Sequence, residues 1–359
     1  MQQIRSISGR VLRLVACAGL GAIACAGAAA AQDKSNGGFE VPARTLPVPT
    51  TVSPQVQKLI AAPLRPGWNV LPKTGEEWKP VSEAGAAATI KNIPGLTERL
   101  KVKVETTTID GVKAFVVTPE TIAPENRERV VIQMHGGCYV LNGGEAGLPE
   151  AMLMASFGRF KVISVDYRMP PEAYFPAALD DGMTVWKATL KTTDPQRIAI
   201  IGTSAGGALA LEMVLKAKQD GVPMPGAIAP GTPMSDVTKA GDTFYTMEMI
   251  DNVLVSRDGF CDAGAKVYAN GRDMKDPLLS PVYGDMSGFP PTILTSGTRD
   301  LLLSNTVRVH RKLRQAGVEA ALQVYEGQSH AHYLRDDTAP ETKEVFQEIA
   351  IFFDKHMKK

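Results

Sequence analysis

From about residue 100 onward, apolar and polar residues follow the periods of strands and helices in turn. Lys101-Val102-Lys103-Val104-Glu105 alternates with a period of two, Asp110-Gly111 is a turn pair, and the alternation returns from Val112 to Val117, which predicts a hairpin. Short apolar runs follow at Val130–Met134, Lys161–Val165, Arg197–Ile201 and Pro291–Thr295, with a weaker one at Ala227–Ala229 and a last one at Ala320–Tyr325. Such runs read as strands buried on both faces. Helical patterns separate them at Ala177–Trp186, from Ala205 through Met213, at Ser304–Gln315 and at Glu341–Met357. Strands and helices in that rhythm predict an α/β fold, a mostly parallel sheet with helices on both faces. The rhythm breaks at Ser235–Gly271, an irregular, partly helical excursion. Its Met247, Met249 and Phe260 suit either a cap or ordinary core, and the cap insertion is set at about 235–285.

Ahead of residue 100 the pattern is different. Between Gly37 and Pro80 prolines are dense, with one short helical run near Val56–Ala61, so this stretch reads as an arm laid over something else. Trp68 and Trp78 favour a lid over a solvated linker. At the N-terminus, Arg5, Arg10 and Arg13 precede an Ala-rich apolar run from Leu14 to Ala31, with no acidic residue before Asp33. That is the pattern of a cleaved export signal, and it points to a periplasmic or secreted protein. The rivals are a membrane anchor, for which the run is short and rich in Ala and Gly, and lipid attachment at Cys17 or Cys25. The expected division is therefore a signal over 1–31, an arm contributing to a cap over 32–99, and a catalytic domain over 100–359, with no stable membrane span once the signal is removed.

Composition adds limits. With 359 residues, 44% of them hydrophobic, the chain can bury a large core. Loss of the signal lowers Lys+Arg from 39 to 36 against 38 Asp+Glu, a formal charge of −2. A near-neutral chain gives no electrostatic case for nucleic acid. Beyond the signal only Cys138 and Cys261 remain, which make neither a metal site nor a disulfide framework, and whether they are bridged stays open.

The chemistry centres on Gly202-Thr203-Ser204-Ala205-Gly206-Gly207, where a buried strand passes directly into a helix. A turn that sharp strains its tip residue and needs small neighbours, and it lifts the Ser204 hydroxyl to the rim of the sheet beside a helix N-terminus. A serine needs a base, and the base needs a carboxylate to orient it, in the chain order Ser, acid, His for this architecture. Of five histidines, His135 opens a glycine loop, His310 lies in a helix and His356 in the C-terminal turn. His330, just beyond the last strand, is the candidate base, and His332 is a surface or supporting residue. Asp300 leaves the end of a buried strand and is the candidate acid; capping of the next helix is its alternative role. His135-Gly136-Gly137-Cys138 follows a strand and offers backbone donors from Gly136, Gly137 and Cys138 for an oxyanion, with the N–H of Ala205 as a further donor. Asp166 and Arg168 read as a structural ion pair.

These segments together resemble the bacterial hormone-sensitive-lipase-like (family IV) esterases of the α/β-hydrolase fold. The resemblance runs from about Leu100 to the C-terminus. It rests on His135-Gly136-Gly137, Asp166-Tyr167-Arg168, Pro171-Glu172, Phe175-Pro176-Ala177-Ala178, the Ser204 turn, Asp300 and His330. It implies a cofactor-free carboxylester hydrolase for small-molecule esters, mostly of short acyl chain, with a cap. Two positions depart from the family pattern: Cys138 stands where a third glycine is usual, narrowing the acyl site, and Thr203 stands where many members have Asp. A lactonase or peptidase with the same three residues, or a non-catalytic small-molecule-binding relative, is the alternative reading. A homodimer is compatible with the sequence.

Overall fold

A computed structural model describes residues 32–33 and 38–359. The expected signal over 1–31, with Cys17 and Cys25, lies outside the described residues. The chain forms two units, Met1–Pro47 and Val48–Lys359. In the first, β1 (Gln32–Asp33) and β2 (Gly38–Phe39) pair antiparallel.

The second unit is an α/β structure whose elements run, in order, α1 (Pro54–Ile60), α2 (Gly75–Ile90), α3 (Ile93–Leu100), β3 (Val102–Ile109), β4 (Val112–Pro119), β5 (Val130–Met134), α4 (Leu148–Gly158), β6 (Lys161–Val165), α5 (Ala177–Thr189), β7 (Ile198–Thr203), α6 (Ala205–Asp220), β8 (Ala227–Gly231), α7 (Thr243–Thr246), α8 (Phe260–Ala269), β9 (Thr292–Gly297), α9 (Leu303–Gln315), β10 (Ala320–Tyr325) and α10 (Pro340–His356). The eight strands from β3 to β10 form one sheet in the order β10-β9-β8-β7-β5-β6-β4-β3. The β3–β4 hairpin and its junction with β6 are antiparallel, and every other pairing is parallel.

Successive residues of the central strands feed opposite faces, as the period-two geometry of a strand requires. Ile132, Met134, Ile198 and Ile200 enter one apolar core with α5, α6 and α9, whereas Val131, Ala199 and Ile201 enter a second core with α4 and α10. The central sheet is thus covered on both sides, which is why its strands lack a polar face.

Two helices depart from expectation. The region expected as an irregular, proline-rich arm ends in the 16-residue α2, followed by α3. Its start resembles a capping box shifted by one residue: Thr74 Oγ1 at the N-cap accepts from the N–H of Glu77, and Glu77 accepts from the N–H of Lys73 just ahead of the cap. The alanine run beyond Pro80 then sustains the helix. Helix α4 carries no amphipathic rhythm because nearly all of it is buried, so periodicity does not mark it. Trp78 is fully buried in the first core, and Trp68 accepts a backbone hydrogen bond from Phe260.

Candidate active site

The turn between β7 and α6 holds Ser204 at φ 64° and ψ −121°. A left-handed backbone at a non-glycine residue costs on the order of 1–3 kcal/mol and persists only when its surroundings enforce it. Here the Ser204 N–H donates to the Gly231 carbonyl at 2.9 Å, and its own carbonyl accepts from Met234 and Ala208 at 3.0 Å. The turn also lies against the end of β5. A Cβ on Gly202 would stand 2.5 Å from the Met134 carbonyl oxygen, and one on Gly206 would run into the same atom. The two glycines that flank the serine are therefore required by close backbone approach.

Two other strand ends bring His330 and Asp300 together. His330 Nδ1 lies 3.1 Å from Asp300 Oδ1, with both side chains buried. Asp300 Oδ1 also accepts from the N–H of Leu302, so the expected capping role and the histidine contact coexist. Its second oxygen accepts from Thr232 and from Ser296 Oγ. Burial pushes the Asp300 pKa up, but the His330 charge and the hydrogen bonds from His330, Thr232 and Leu302 outweigh it, and the net direction is down. With Nδ1 engaged by the carboxylate, Nε2 of His330 is left for a substrate-side proton. Ser204 and His330 line one cavity of about 710 Å³. Among the described residues the Ser204 hydroxyl makes no hydrogen bond.

Sequence reasoning missed the dipeptide behind His330. Asp251 is fully buried and accepts from the N–H groups of Val253, Leu254, Leu301 and His330. Burial and then the nearby Asp300 charge push its pKa up, against the pull of His330. Asn252 donates to the carbonyls of Leu59 and Ala62 and faces His332 Nε2 at 2.9 Å. His332 is accordingly buried rather than at the surface, and burial followed by the Arg335 charge lowers its pKa to about 3. Asp251 and Asn252 sit in the irregular excursion, where no periodicity marks them.

The glycine loop after β5 is fixed from three sides. The Tyr167 hydroxyl donates to the His135 carbonyl at 2.7 Å while the two rings stack at 4.0 Å, Asn142 donates to the Gly136 carbonyl, and the N–H of Gly144 donates to Asp166. Among the described residues the N–H groups of Gly136, Gly137, Cys138 and Ala205 have no acceptor. Cys138 forms a disulfide with Cys261 in the first turn of α8, and Tyr139 stacks on Tyr268 of the same helix at 4.4 Å. The ion pair expected between Asp166 and Arg168 is absent: Arg168 forks onto Asp181 of α5 instead, because Asp166 is taken up by the loop.

Beneath Ser204, Thr203 Oγ1 donates to Glu150 at 2.6 Å and meets the Tyr333 hydroxyl at 2.8 Å, and Gln133 donates to the second Glu150 oxygen. Thr203 thus takes part in a buried polar network. Burial raises the Glu150 pKa to about 7, against the hydrogen bonds that lower it. An unfolded Glu ionises near 4.5, so between about pH 4.5 and 7 the unfolded chain has released a proton that the folded chain retains, and stability falls as pH rises through that window. Glu150→Gln is expected to flatten this slope by a few kcal/mol between pH 4.5 and 7, read from urea midpoints across the range. An unchanged slope contradicts the Glu150 assignment.

Residues 131–334 match the family described as the alpha/beta hydrolase fold. The chain belongs to that family. Among relatives, this α/β hydrolase is 31% identical over 238 residues to an esterase of Acinetobacter venetianus, a match covering 65% of this chain and 77% of that protein. It is 25% identical over 237 residues to an acetyl-hydrolase of Streptomyces hygroscopicus, covering 66% and 79% of the two chains. Among solved structures, esterase E25 matches with a TM-score of 0.86 at 43% identity over 89% of this chain and 99% of that one. An esterase from the bacterial hormone-sensitive lipase family matches with a TM-score of 0.70 at 26% identity, covering 85% and 99%. The resemblance carried by the separate motifs thus holds across most of the α/β-hydrolase chain.

Proposed function

We propose that this α/β hydrolase is a serine carboxylester hydrolase in which Ser204 is the nucleophile, His330 the general base and acid, and Asp300 the carboxylate that orients the imidazole. The observation that carries the reading is the buried His330–Asp300 contact of 3.1 Å at the cavity that also contains the strained Ser204 turn. Esterases recur among its relatives and structural neighbours.

In the proposed reaction Ser204 Oγ bonds to the ester carbonyl carbon as its proton passes to His330 Nε2, which requires the two to close to hydrogen-bond distance when substrate is bound. The carbonyl oxygen becomes an oxyanion facing the free N–H groups of Gly136, Gly137, Cys138 and Ala205, each such donor being worth about 2.7–4 kcal/mol in comparable sites. Collapse breaks the bond to the alcohol, which leaves with the proton from His330. Water then attacks the acyl-serine, giving its proton to His330, and the acid departs as that proton returns to Ser204.

Two features support a short acyl chain and an exported protein. The Cys138 side chain is tied to α8 beside the oxyanion donors and cannot swing away from a long chain. The disulfide itself suits an oxidising compartment, in line with an N-terminal export signal. Contact of α2 with the turn at Gly144–Gly147 and with α8 supports a cap built from the α1–α3 segment and the 235–285 excursion.

Turnover of p-nitrophenyl esters from acetyl to dodecanoyl tests the acyl preference. The expected kcat/KM is highest between acetyl and hexanoyl and lower by about tenfold or more at dodecanoyl, a difference of roughly 1.4 kcal/mol. A maximum at dodecanoyl overturns the short-acyl assignment, and preferential cleavage of lactones or peptides overturns the ester assignment.

A further inference from the structure

The cavity over Ser204 holds two guanidinium groups that ester hydrolysis leaves unused. Arg65, from the segment after α1, and Arg335, beyond the His330 loop, both line it. Arg99, Arg129, Arg168, Arg197, Arg272 and Arg308 each pair with a carboxylate. Among the described residues Arg65 and Arg335 have neither an ion pair nor a side-chain hydrogen bond. Arg65 is half-buried, with its guanidinium 4.1 Å above the Phe260 ring, so its planar group is held in place without being neutralised. Arg335 is exposed at the cavity, and its backbone N–H donates to the His332 carbonyl.

Burial and then the Arg335 charge lower the Arg65 pKa, burial lowers that of Arg335 against the pull of Asp251, and Arg335 also helps hold His332 neutral. The hydrogen bonds and ion pairs of nearby acids go to other groups, although the Asp251 charge still acts on Arg335. Asp251 is occupied by four backbone N–H groups, Asp337 pairs with Arg99, Asp336 accepts from Thr338, and Glu150 is bonded to Thr203 and Gln133. Neither guanidinium is paired with a carboxylate in that space, and an anionic ligand would accept paired N–H bonds from a guanidinium fork.

We propose that the natural substrate is an ester that also carries a carboxylate, held by Arg65 and Arg335 while Ser204 attacks the ester carbonyl. The inference rests on the esterase reading above and deepens it. The carboxylate takes no part in bond making. One water is consumed as before, and the products are a dicarboxylic acid and an alcohol if the charge is on the acyl side, or an acid and a hydroxy acid if it is on the alcohol side.

A pH-stat assay of two matched pairs tests the proposal. Monomethyl glutarate against methyl pentanoate places the charge on the acyl side, and 3-acetoxypropionate against propyl acetate places it on the alcohol side. In the wild-type chain the charged member of at least one pair is expected to have the higher kcat/KM, and the pair that responds identifies the side. Arg335→Gln and Arg65→Gln are each expected to lower that charged-to-neutral ratio about tenfold. Because the ratio is taken within one preparation, partial loss of folded protein does not change it. A wild-type preference for the neutral member of both pairs, or ratios within twofold of wild type in both variants, overturns the proposal while leaving the esterase reading intact. No turnover of any of the four esters overturns both.

Discussion

Ser204→Ala is expected to lower kcat for p-nitrophenyl butyrate by about 10⁴-fold or more, leaving only what binding and the backbone donors supply. The effect is large because the hydroxyl forms the covalent bond. His330→Ala should cost about as much, and the double variant little more than either single one, since serine and histidine act as a unit. Folding should be little altered by the serine substitution. The turn is held by backbone hydrogen bonds to Gly231, Met234 and Ala208, none of which involves the hydroxyl. A Ser204→Ala chain that keeps more than about a tenth of wild-type kcat contradicts the assignment.

Loss of the Cys138–Cys261 bridge is expected to have the largest effect on stability. The bridge joins positions 123 residues apart and links the glycine loop to α8. Cross-linking a loop of that size is worth roughly 2–5 kcal/mol, in one view by limiting the unfolded chain. Cys138→Ala with Cys261→Ala, which leaves no unpaired thiol at either position, should therefore unfold at lower denaturant by a margin of that order, and reduction of the wild-type chain should do the same. Activity should fall as well. Cys138 sits at φ 54° among the free backbone donors, and without the bridge the stacking of Tyr139 on Tyr268 is left to hold the loop against α8. An unfolding midpoint that does not move on reduction contradicts this role.

Much of the fold and the site is legible in the sequence because the same physics writes both. The strands β5, β7 and β9 bury both faces, so each is a plain apolar run, and what leaves its end is polar for a reason: the glycine loop, Ser204 and Asp300 all follow such runs. The tight approach of the serine turn to Met134 demands glycine, which leaves Gly202 and Gly206 as visible marks. What is not legible lies where packing overrides periodicity. Helix α4 is buried nearly all round, and α2 follows prolines that suggest an irregular arm, although the Thr74–Glu77 capping pair marks its start. Asp251 and Asn252 act through backbone groups of distant segments, and the carboxylate that Arg168 finds lies 13 residues away in α5. Such partners are fixed by tertiary structure, and no local pattern announces them. The bridge between Cys138 and Cys261 is of the same kind, since two isolated cysteines carry no register of their own.

The most direct measurement is mass spectrometry of the protein after reaction with a fluorophosphonate, a reagent that phosphonylates an activated serine. A single adduct on the peptide containing Ser204, absent from Ser204→Ala and formed far more slowly by His330→Ala, is the expected result. An adduct on another residue, or none at all on a preparation that hydrolyses p-nitrophenyl butyrate, would contradict Ser204 as the activated nucleophile.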